Sequence, residues 1–264
     1  MKSAWFSKKP HHEFAKLLQD AARGKYDLWN VFTDWLEVAY LSLSQAVHRL
    51  THLDQLDPER EEAYAKIVQR YDHPENFARA FGVVVEALEE EAYDFIGSAA
   101  GELELLDKAF KGQCFTPAPL CQLMAQMSMG DIDPDPEHRL MICEPCCGGG
   151  AISIATAQHL KSRGFMPWNY WMDCTDVDRK MWQACYIQLT LLGVPAVVRW
   201  GNSLSLEQHK ADVTLVGALH PLRRVSGLCP DSTAKQAEIS LPDTNPDIVS
   251  GKQRRKQQSF LDAA

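Results

Sequence analysis

The stretch Ile142-Cys143-Glu144-Pro145-Cys146-Cys147-Gly148-Gly149-Gly150-Ala151-Ile152-Ser153-Ile154-Ala155 decides the fold. It begins apolar, as the end of a buried strand does, then passes through an acid, a proline and three glycines, and resumes with residues that suit a helix. Strand, glycine turn and helix form the opening unit of a nucleotide-binding α/β domain. Without a Cβ, the glycines let a ligand approach the backbone, and the free N–H groups of the helix start can face it.

The spacing of these glycines narrows the choice of ligand. It does not match the dinucleotide pattern G-x-G-x-x-G, and no Lys-Ser/Thr pair follows as in a phosphate-binding loop. A tight strand-to-helix turn without a ligand is the alternative interpretation of the same residues.

Composition indicates a globular protein. The 264 residues are enough for one large domain or for a core with a smaller domain, and the hydrophobic (45%) and charged (23%) contents are ordinary. We find no apolar run of membrane-helix length and no secretory signal, so we expect a cytoplasmic protein with no membrane partner. The net charge of −8 does not indicate nucleic-acid binding, although a local basic patch can act within an acidic protein.

Eight cysteines occur without the context of a disulfide framework. Cys143 and Cys146 have the spacing of half a zinc site, but no second pair follows them. We therefore expect buried, reduced thiols and no metal site.

Residues 11–110 show the apolar periodicity of helices. One long amphipathic helix is predicted from Leu28 to Leu50, and Asp57 and Pro58 open another as cap and first-turn residue. A third begins near Pro74, and the glycines at 97 and 101 are expected to break the pattern.

A second informative stretch precedes the glycine loop. Lys111-Gly112-Gln113-Cys114-Phe115-Thr116-Pro117 is a loop that leads into a helix, for which Thr116 can act as the cap. An interhelix loop without further role is the plain alternative.

Polar residues follow the next predicted strands. Asp176 comes after the strand 170–175, about 20–30 residues beyond the glycine loop, where an acid can accept hydrogen bonds from ribose hydroxyls. Asp178 is predicted to cap the next helix, although both acids can also be mere turn residues. Asn202 follows the strand 197–200, and its amide can donate to and accept from an adenine edge. A fourth strand is predicted over residues 211–216.

Taken together, these motifs resemble those of the N6-adenine DNA methyltransferases, above all the modification subunits of type I restriction systems. Glu144-Pro145-Cys146-Cys147-Gly148-Gly149-Gly150 is similar to the Asp-Pro-Ala-Cys-Gly-Ser-Gly loop of that family. The earlier stretch is similar to its Gly-Gln-Phe/Tyr-Thr-Pro motif, with Cys114 inserted, and Gly201-Asn202-Ser203-Leu204 to its Gly-Asp/Asn-Ser-Leu turn. The motifs occur in the family's order over residues 112–204.

The resemblance implies a fold, a cofactor and an activity. The fold is α/β, a Rossmann-like core that binds S-adenosylmethionine and follows a helical N-terminal domain. The activity is methylation of the N6 amine of adenine in DNA, with DNA and a specificity or other partner subunit as partners. It assigns the cofactor site to these residues: Phe115, Thr116, Glu144, Pro145, Cys146, Gly148, Gly150, Asp176 and Asn202.

The family's catalytic Asn/Asp-Pro-Pro-Tyr/Phe loop is not recognisable. After the predicted fourth strand the chain reads Gly217-Ala218-Leu219-His220-Pro221, without an amide, an acid or an aromatic ring. His220 is the one group there that titrates near neutrality, and nothing near it in sequence supports a role, so the catalytic residues are unknown. A protein that binds the cofactor or DNA as a regulatory or partner subunit, without turnover, is the alternative.

The predicted domain organisation has three parts. Residues 1–110 form a helical domain, residues 111–222 form the methyltransferase-like core, and residues 223–264 form an irregular, partly basic tail.

Overall fold

A sheet of four strands in the order β1-β2-β3-β4 carries the glycine loop at the end of its first strand. The structure is a computed structural model and describes residues 9–52, 54–102, 116–135 and 138–224. The strands are β1 (Leu140–Glu144), β2 (Tyr170–Asp176), β3 (Ala196–Asn202) and β4 (Glu207–Val213).

Helices precede the sheet and connect its strands. In chain order they are α1 (Lys9–Ala22), α2 (Leu28–Thr51), α3 (Pro58–Val68), α4 (Glu75–Glu90), α5 (Phe95–Glu102), α6 (Ala118–Met129), α7 (Ala151–Ser162), α8 (Arg179–Leu191) and the short α9 (Leu215–Leu219). Two 3₁₀ turns span Pro167–Asn169 and Pro221–Arg224. No helix in the described ranges is both long and apolar enough to cross a bilayer.

The first three strands are parallel and are joined by α7 and α8. Ile142 pairs with Met172, which in turn pairs with Ala196, so the carboxyl ends of β1, β2 and β3 lie at one edge of the sheet. Right-handed crossovers between successive parallel strands place their helices on one face, and α7 does contact α8. The expected α/β core with a helical region before it is confirmed.

The fourth strand differs from the prediction. It was expected over residues 211–216, but β4 ends at Val213 and runs antiparallel to β3. Thr214 accepts the Gly217 N–H and donates its hydroxyl to the Val194 carbonyl at 2.7 Å, which starts α9 instead of continuing the strand. The fourth strand begins earlier in the chain than predicted, because residues 203–206 form a tight hairpin turn directly after β3.

The helices before the core follow the sequence pattern closely. The long helix, the helix capped by Asp57 and the helix after Pro74 are confirmed, and the Asp57 carboxylate accepts the Glu59 N–H. The expected break at glycines 97 and 101 is wrong, because α5 contains both. Helix interior glycine costs about 1 kcal/mol, and burial of Phe95 and Ile96 against the core outweighs that cost.

One apolar cluster joins the helical region to the α/β layer. The rings of Phe14, Trp35 and Phe95 meet edge to face within the helices. On α2, Tyr40 packs against Trp182 and Tyr186 of α8, so the long helix lies on the helical face of the sheet. The predicted boundary at residue 110 stays a prediction, because it lies outside the described residues.

A buried polar contact fixes this packing. The Tyr40 hydroxyl donates to Asp212 of β4 at 2.6 Å, and the Arg60 guanidinium lies 3.2 Å from the other oxygen of the same carboxylate. Arg60 also donates to the Ser44 carbonyl at 2.6 Å. Burial and the Asp212 charge raise the pKa of Tyr40, so its hydroxyl stays a donor at physiological pH. Asp212 thereby ties α2 and α3 to the edge of the sheet.

We predict that Asp212→Ala lowers the free energy of unfolding by about 2–3 kcal/mol, because it leaves the buried Tyr40 hydroxyl without its acceptor and removes one of the two carboxylates that pair with Arg60, the other being Asp57. Tyr40→Phe removes one hydrogen bond and should cost about 1 kcal/mol. Urea denaturation measures both values.

The matched control is Asp133→Ala, which removes the carboxylate of an exposed pair with Arg163. It should cost less than about 1 kcal/mol. Equal losses for Asp212→Ala and Asp133→Ala would show that the contact to β4 contributes no more than a surface ion pair.

Candidate cofactor site

The glycine loop connects β1 to α7 through two left-handed residues. Gly148 has φ +54° and Gly150, which immediately precedes α7, has φ +100°. Side chains disfavour both conformations, so the turn requires glycine at these positions. A Cβ built on Gly148 would meet no atom within 4 Å, which leaves open space on that side of the loop. A ligand can therefore approach the Gly148 backbone directly.

Asp176 holds this loop against the end of β2. Its Oδ2 accepts the Gly148 N–H at 2.8 Å, and its Oδ1 accepts the Asp178 N–H at 2.8 Å. The Cys147 N–H also donates to the Thr175 carbonyl at 2.9 Å. The loop is thus hydrogen-bonded to the neighbouring strand at both a side chain and the main chain.

Burial determines the charge behaviour of this carboxylate. Desolvation raises the pKa of Asp176, while the hydrogen bonds from Asp178 and Gly148 oppose that rise. The N–H group of Val177 also interacts with this carboxylate, so three backbone donors face its four lone pairs. The expected bond to ribose hydroxyls stays a prediction. The predicted cap is confirmed, since Asp178 accepts from Lys180 and Met181 at the start of α8.

Glu144, Pro145 and Cys146 form the entrance to the loop. The Glu144 carboxylate accepts the Cys146 N–H at 3.3 Å, and Pro145 and Cys146 are exposed. These residues lie at the same edge as Asp176, because Glu144 pairs with Cys174 in the sheet.

Asn202 ends β3 at this edge and shapes the hairpin that follows. Its Oδ1 accepts the Leu204 N–H at 2.9 Å and the Ser205 N–H at 3.3 Å. Because Oδ1 is occupied, Asn202 can donate to adenine only through its amide NH₂ group. Val177, which sequence reasoning missed, is 64% exposed directly after Asp176, and an apolar side chain there can pack on an adenine face.

The stretch before the core is only partly described. Phe115 lies outside the described residues, and Thr116 is the first described residue of this segment. The prediction that Thr116 caps the helix is wrong, because α6 begins at Ala118 with Pro117 before it and no side-chain cap. The Thr116 carbonyl instead accepts from the Cys121 thiol. Pro117 sets the start, since its fixed φ suits the residue that leads into a helix.

Two further residues hold the loop from behind, and sequence reasoning missed both. Gln188 of α8 donates from Nε2 to the Gly149 carbonyl at 2.7 Å and to Asp94 at 2.9 Å, and its Oε1 accepts the Ile96 N–H at 3.0 Å. A Cβ on Gly149 would lie 3.2 Å from Asp94 Oδ1, so a larger residue at this position would push against the Asp94 carboxylate. Desolvation raises the pKa of Asp94.

The sequence did contain features that single out Asp94 and Gln188. Gln188 lies on a helix whose neighbours are almost all apolar, and a polar side chain in such a place needs buried partners. Asp94 precedes α5 and accepts the Gly97 N–H, which is the pattern of a helix cap. Neither residue could be linked to the loop without knowing that α5 and α8 meet behind it.

Residues 217–221 lie away from this site. Because β4 is antiparallel, its end and α9 are beside the beginning of β3, where the Thr214 N–H donates to the Ala196 carbonyl. His220 is buried with its ring 5.4 Å from that of Trp171, near the amino end of β2, and its Nδ1 accepts the Leu222 N–H. Desolvation lowers its pKa. His220 thus occupies the edge opposite the glycine loop.

Four of the six cysteines in the described ranges are buried, as expected. The six within the described ranges are free thiols, and no group of three or more potential ligands there is arranged to hold a metal ion. The expected burial of Cys143 and Cys146 is wrong, because both are exposed. Cys146 lies in the loop entrance, and Cys143 points away from the helical layer on a face of β1 that nothing described covers.

Comparison with known proteins agrees with this geometry. Residues 92–219 match the family described as N-6 DNA Methylase. No curated protein matches the chain.

Two solved structures show distant similarity. A protein of Listeria monocytogenes, described as a class I S-adenosylmethionine-dependent methyltransferase, has a TM-score of 0.36 at 14% identity, with 72% of this chain and 52% of that chain covered. The type I restriction-modification methyltransferase subunit of Streptococcus thermophilus has a TM-score of 0.30 at 16% identity, with 70% and 56% covered. The chain spans just over half the length of these two proteins.

The family match includes the glycine loop, Asp176, Gln188 and Asn202, and it begins two residues before Asp94. The residues that form the candidate site and are described by the structure therefore lie, from Thr116 to Asn202, within the segment that is similar to the N-6 DNA Methylase family.

Proposed function

We propose that the chain binds S-adenosylmethionine over the carboxyl ends of β1, β2 and β3 and acts in methylation of the N6 amine of adenine in DNA. The observation that carries the proposal is the open space at Gly148, on a loop held by Asp176 within the family segment. An open glycine loop at the carboxyl edge of a parallel sheet is where ligands of such folds bind.

The residues at this edge fit the parts of the cofactor. The Gly148 and Gly150 backbone faces its amino-acid portion together with Glu144. The remaining lone pair of Asp176 accepts from a ribose hydroxyl, and Val177 and Asn202 contact adenine. Pro145, Cys146, Thr116 and Phe115 complete the surroundings as the resemblance implies. The sulfonium of S-adenosylmethionine supplies the electrophilic methyl group, and the protein holds and orients it.

DNA and a partner subunit are part of the proposal. The net charge of −8 leaves little general attraction for DNA, so recognition requires a local basic surface or a second subunit. The Streptococcus relative is described as a subunit of a type I system, which supports a partner. An adenine target in cellular DNA implies a cytoplasmic protein.

One observation favours a second candidate function. The segment after β4 lies at the opposite edge from the glycine loop, so residues 217–221 do not supply the family's catalytic loop. Asn245-Pro246-Asp247 lies outside the described residues. A cofactor-binding regulatory or partner subunit, without turnover of its own, is therefore the alternative.

We predict that Asp176→Asn weakens S-adenosylmethionine binding at least about tenfold, because the new NH₂ group opposes the Gly148 N–H or the Asp178 N–H. Gly148→Ala should weaken binding at least as much, since its Cβ enters the open space without touching the protein. Calorimetric titration with S-adenosylmethionine measures both.

The control for this pair is Asp173→Asn on the same strand. Asp173 faces the other side of β2 and pairs with Arg199 at 2.8 Å, so its loss should leave binding unchanged. Wild-type affinity in Asp176→Asn and Gly148→Ala would overturn the proposed cofactor position.

The hydrogen bonds of Gln188 to the glycine loop and to Asp94 give a further prediction. Gln188→Met keeps the volume but removes the donor to the Gly149 carbonyl and the acceptor of the Ile96 N–H. We expect the free energy of unfolding to fall by about 2–3 kcal/mol. We also expect weaker cofactor binding, even at temperatures at which the variant is fully folded. Thermal unfolding with and without S-adenosylmethionine separates the two effects. If the cofactor stabilises the variant as much as the wild type, Gln188 does not position the loop for cofactor binding.

Turnover distinguishes the two candidate functions. Incubation of the protein with unmethylated DNA and isotopically labelled S-adenosylmethionine, followed by mass spectrometry of the nucleosides, should give labelled N6-methyladenine. The Gly148→Ala protein is the blank. Cofactor binding without any labelled adenine would favour the regulatory candidate.

A further inference from the structure

The Asp94 carboxylate beside the glycine loop has one oxygen in use and one without a partner. Its Oδ1 accepts two hydrogen bonds, from the Gly97 N–H at 2.8 Å and from Gln188 Nε2 at 2.9 Å. Within the described ranges its Oδ2 accepts no hydrogen bond and belongs to no ion pair. The fully buried polar atoms that lack a partner in these ranges do not include Oδ2, so this oxygen reaches open space.

This free oxygen lies against the glycine loop. A Cβ built on Gly149 would lie 3.4 Å from Oδ2 of Asp94 and 3.2 Å from Oδ1, so both oxygens are close to the backbone of that glycine. The preceding residue, Gly148, has open space beside it. An oxygen in this place can accept a hydrogen bond from a ligand that binds over the glycines.

A second part of the predicted cofactor site lies near the same carboxylate. Burial and the Asp94 charge raise the pKa of the Cys121 thiol on α6, and that thiol donates to the Thr116 carbonyl at 3.4 Å. Since the effect of a charge falls with distance, Asp94 is close to the beginning of α6. The resemblance assigns both the glycine loop and Thr116 to the cofactor, and Asp94 is near both.

No lysine or arginine in the described ranges pairs with this carboxylate. The positive charge that acts on Asp94 is that of His11, but the His11 ring contacts the Tyr93 hydroxyl at 2.9 Å and Glu102 at 3.2 Å. Desolvation is the main cause that raises the pKa of Asp94. Buried carboxylates are normally paired with a cation, and a bound cation would stabilise the charged form of Asp94. The side chain therefore has the surroundings of an acid whose cation comes from a ligand.

We propose that Oδ2 of Asp94 binds the α-ammonium group in the methionine portion of S-adenosylmethionine. The inference rests on the proposed function, because it requires the cofactor to bind over the glycine loop with its amino-acid portion at Gly148 and Gly150. Asp94 then has two roles. Through Oδ1 it holds α5 and Gln188 behind the loop, and through Oδ2 it selects ligands that carry the ammonium group.

Glu144 is the competing carboxylate at this loop. It lies at the loop entrance, where it accepts the N–H of the exposed Cys146 at 3.3 Å. Opposite charges attract more strongly where water is excluded. The fold has already desolvated Asp94, so an ammonium group there meets a less screened negative charge than it does at the entrance.

The variant Asp94→Asn separates the two roles. Its amide oxygen can keep both hydrogen bonds that Oδ1 accepts, while an NH₂ group replaces Oδ2 and repels an ammonium group. Calorimetric titration compares S-adenosylhomocysteine with its deamino analogue, which lacks only the ammonium group. The wild type should bind S-adenosylhomocysteine at least about tenfold more tightly than the analogue, and Asp94→Asn should bind both with the same affinity.

Asp57→Asn is the matched control, since it makes the same change at the cap of α3, where the carboxylate pairs with Arg60. It should keep the preference of the wild type. An unchanged preference in Asp94→Asn would overturn the assignment, and so would an equal weakening of both ligands, which is the result of a structural role alone.

Two further outcomes have distinct meanings. A preference that disappears in Glu144→Gln, but not in Asp94→Asn, would place the ammonium group at the loop entrance and overturn the assignment to Asp94. A wild type that binds neither S-adenosylmethionine nor S-adenosylhomocysteine would overturn the proposed function itself, and the assignment with it.

Discussion

The hydrogen bond from the Gly148 N–H to Asp176 is the contact on which the site depends. It joins the loop after β1 to the end of β2 across 2.8 Å, and it exists only because parallel strands bring their carboxyl ends to one edge. The left-handed conformation of Gly148 aims its N–H at the carboxylate and leaves its other side open. The same residue therefore stabilises the turn and exposes backbone to a ligand.

The helices before the core hold this loop as well as covering the sheet. Asp94 and Gln188 meet behind Gly149, so α5, α8 and the loop share one polar network in an otherwise apolar interior. A buried network of this kind is stable only when its members are all paired, which couples the position of the loop to the packing of the helices. Asp212 makes a comparable connection at the far edge, where it accepts from Tyr40 and pairs with Arg60.

The fourth strand does not continue the parallel order of the first three, because β4 runs antiparallel to β3. An antiparallel hairpin after β3 uses that side of the sheet for a polar edge and carries α9 and His220 to the opposite end of the strands. Among the described strands only β2 pairs with β1, so the other side of β1 is open within the described part of the chain. The cofactor loop begins at the end of that same strand, so anything that pairs with β1 also lies next to the proposed site.

Local sequence determined the parts of this protein whose physical cause is local. The periodicity of α2, the cap at Asp57, the glycine turn and the cap at Asp178 are each set by residues within one or two turns of chain, and all four were predictable. The tertiary structure alone decided the rest. Burial of Phe95 and Ile96 kept α5 helical through its glycines, and the pairing partner of β4 reversed its direction and moved His220 away from the site. The hydrogen bond between Asp94 and Gln188 joins residues 94 positions apart. Such a contact depends on how the helices pack, and sequence periodicity and motif spacing do not specify that packing.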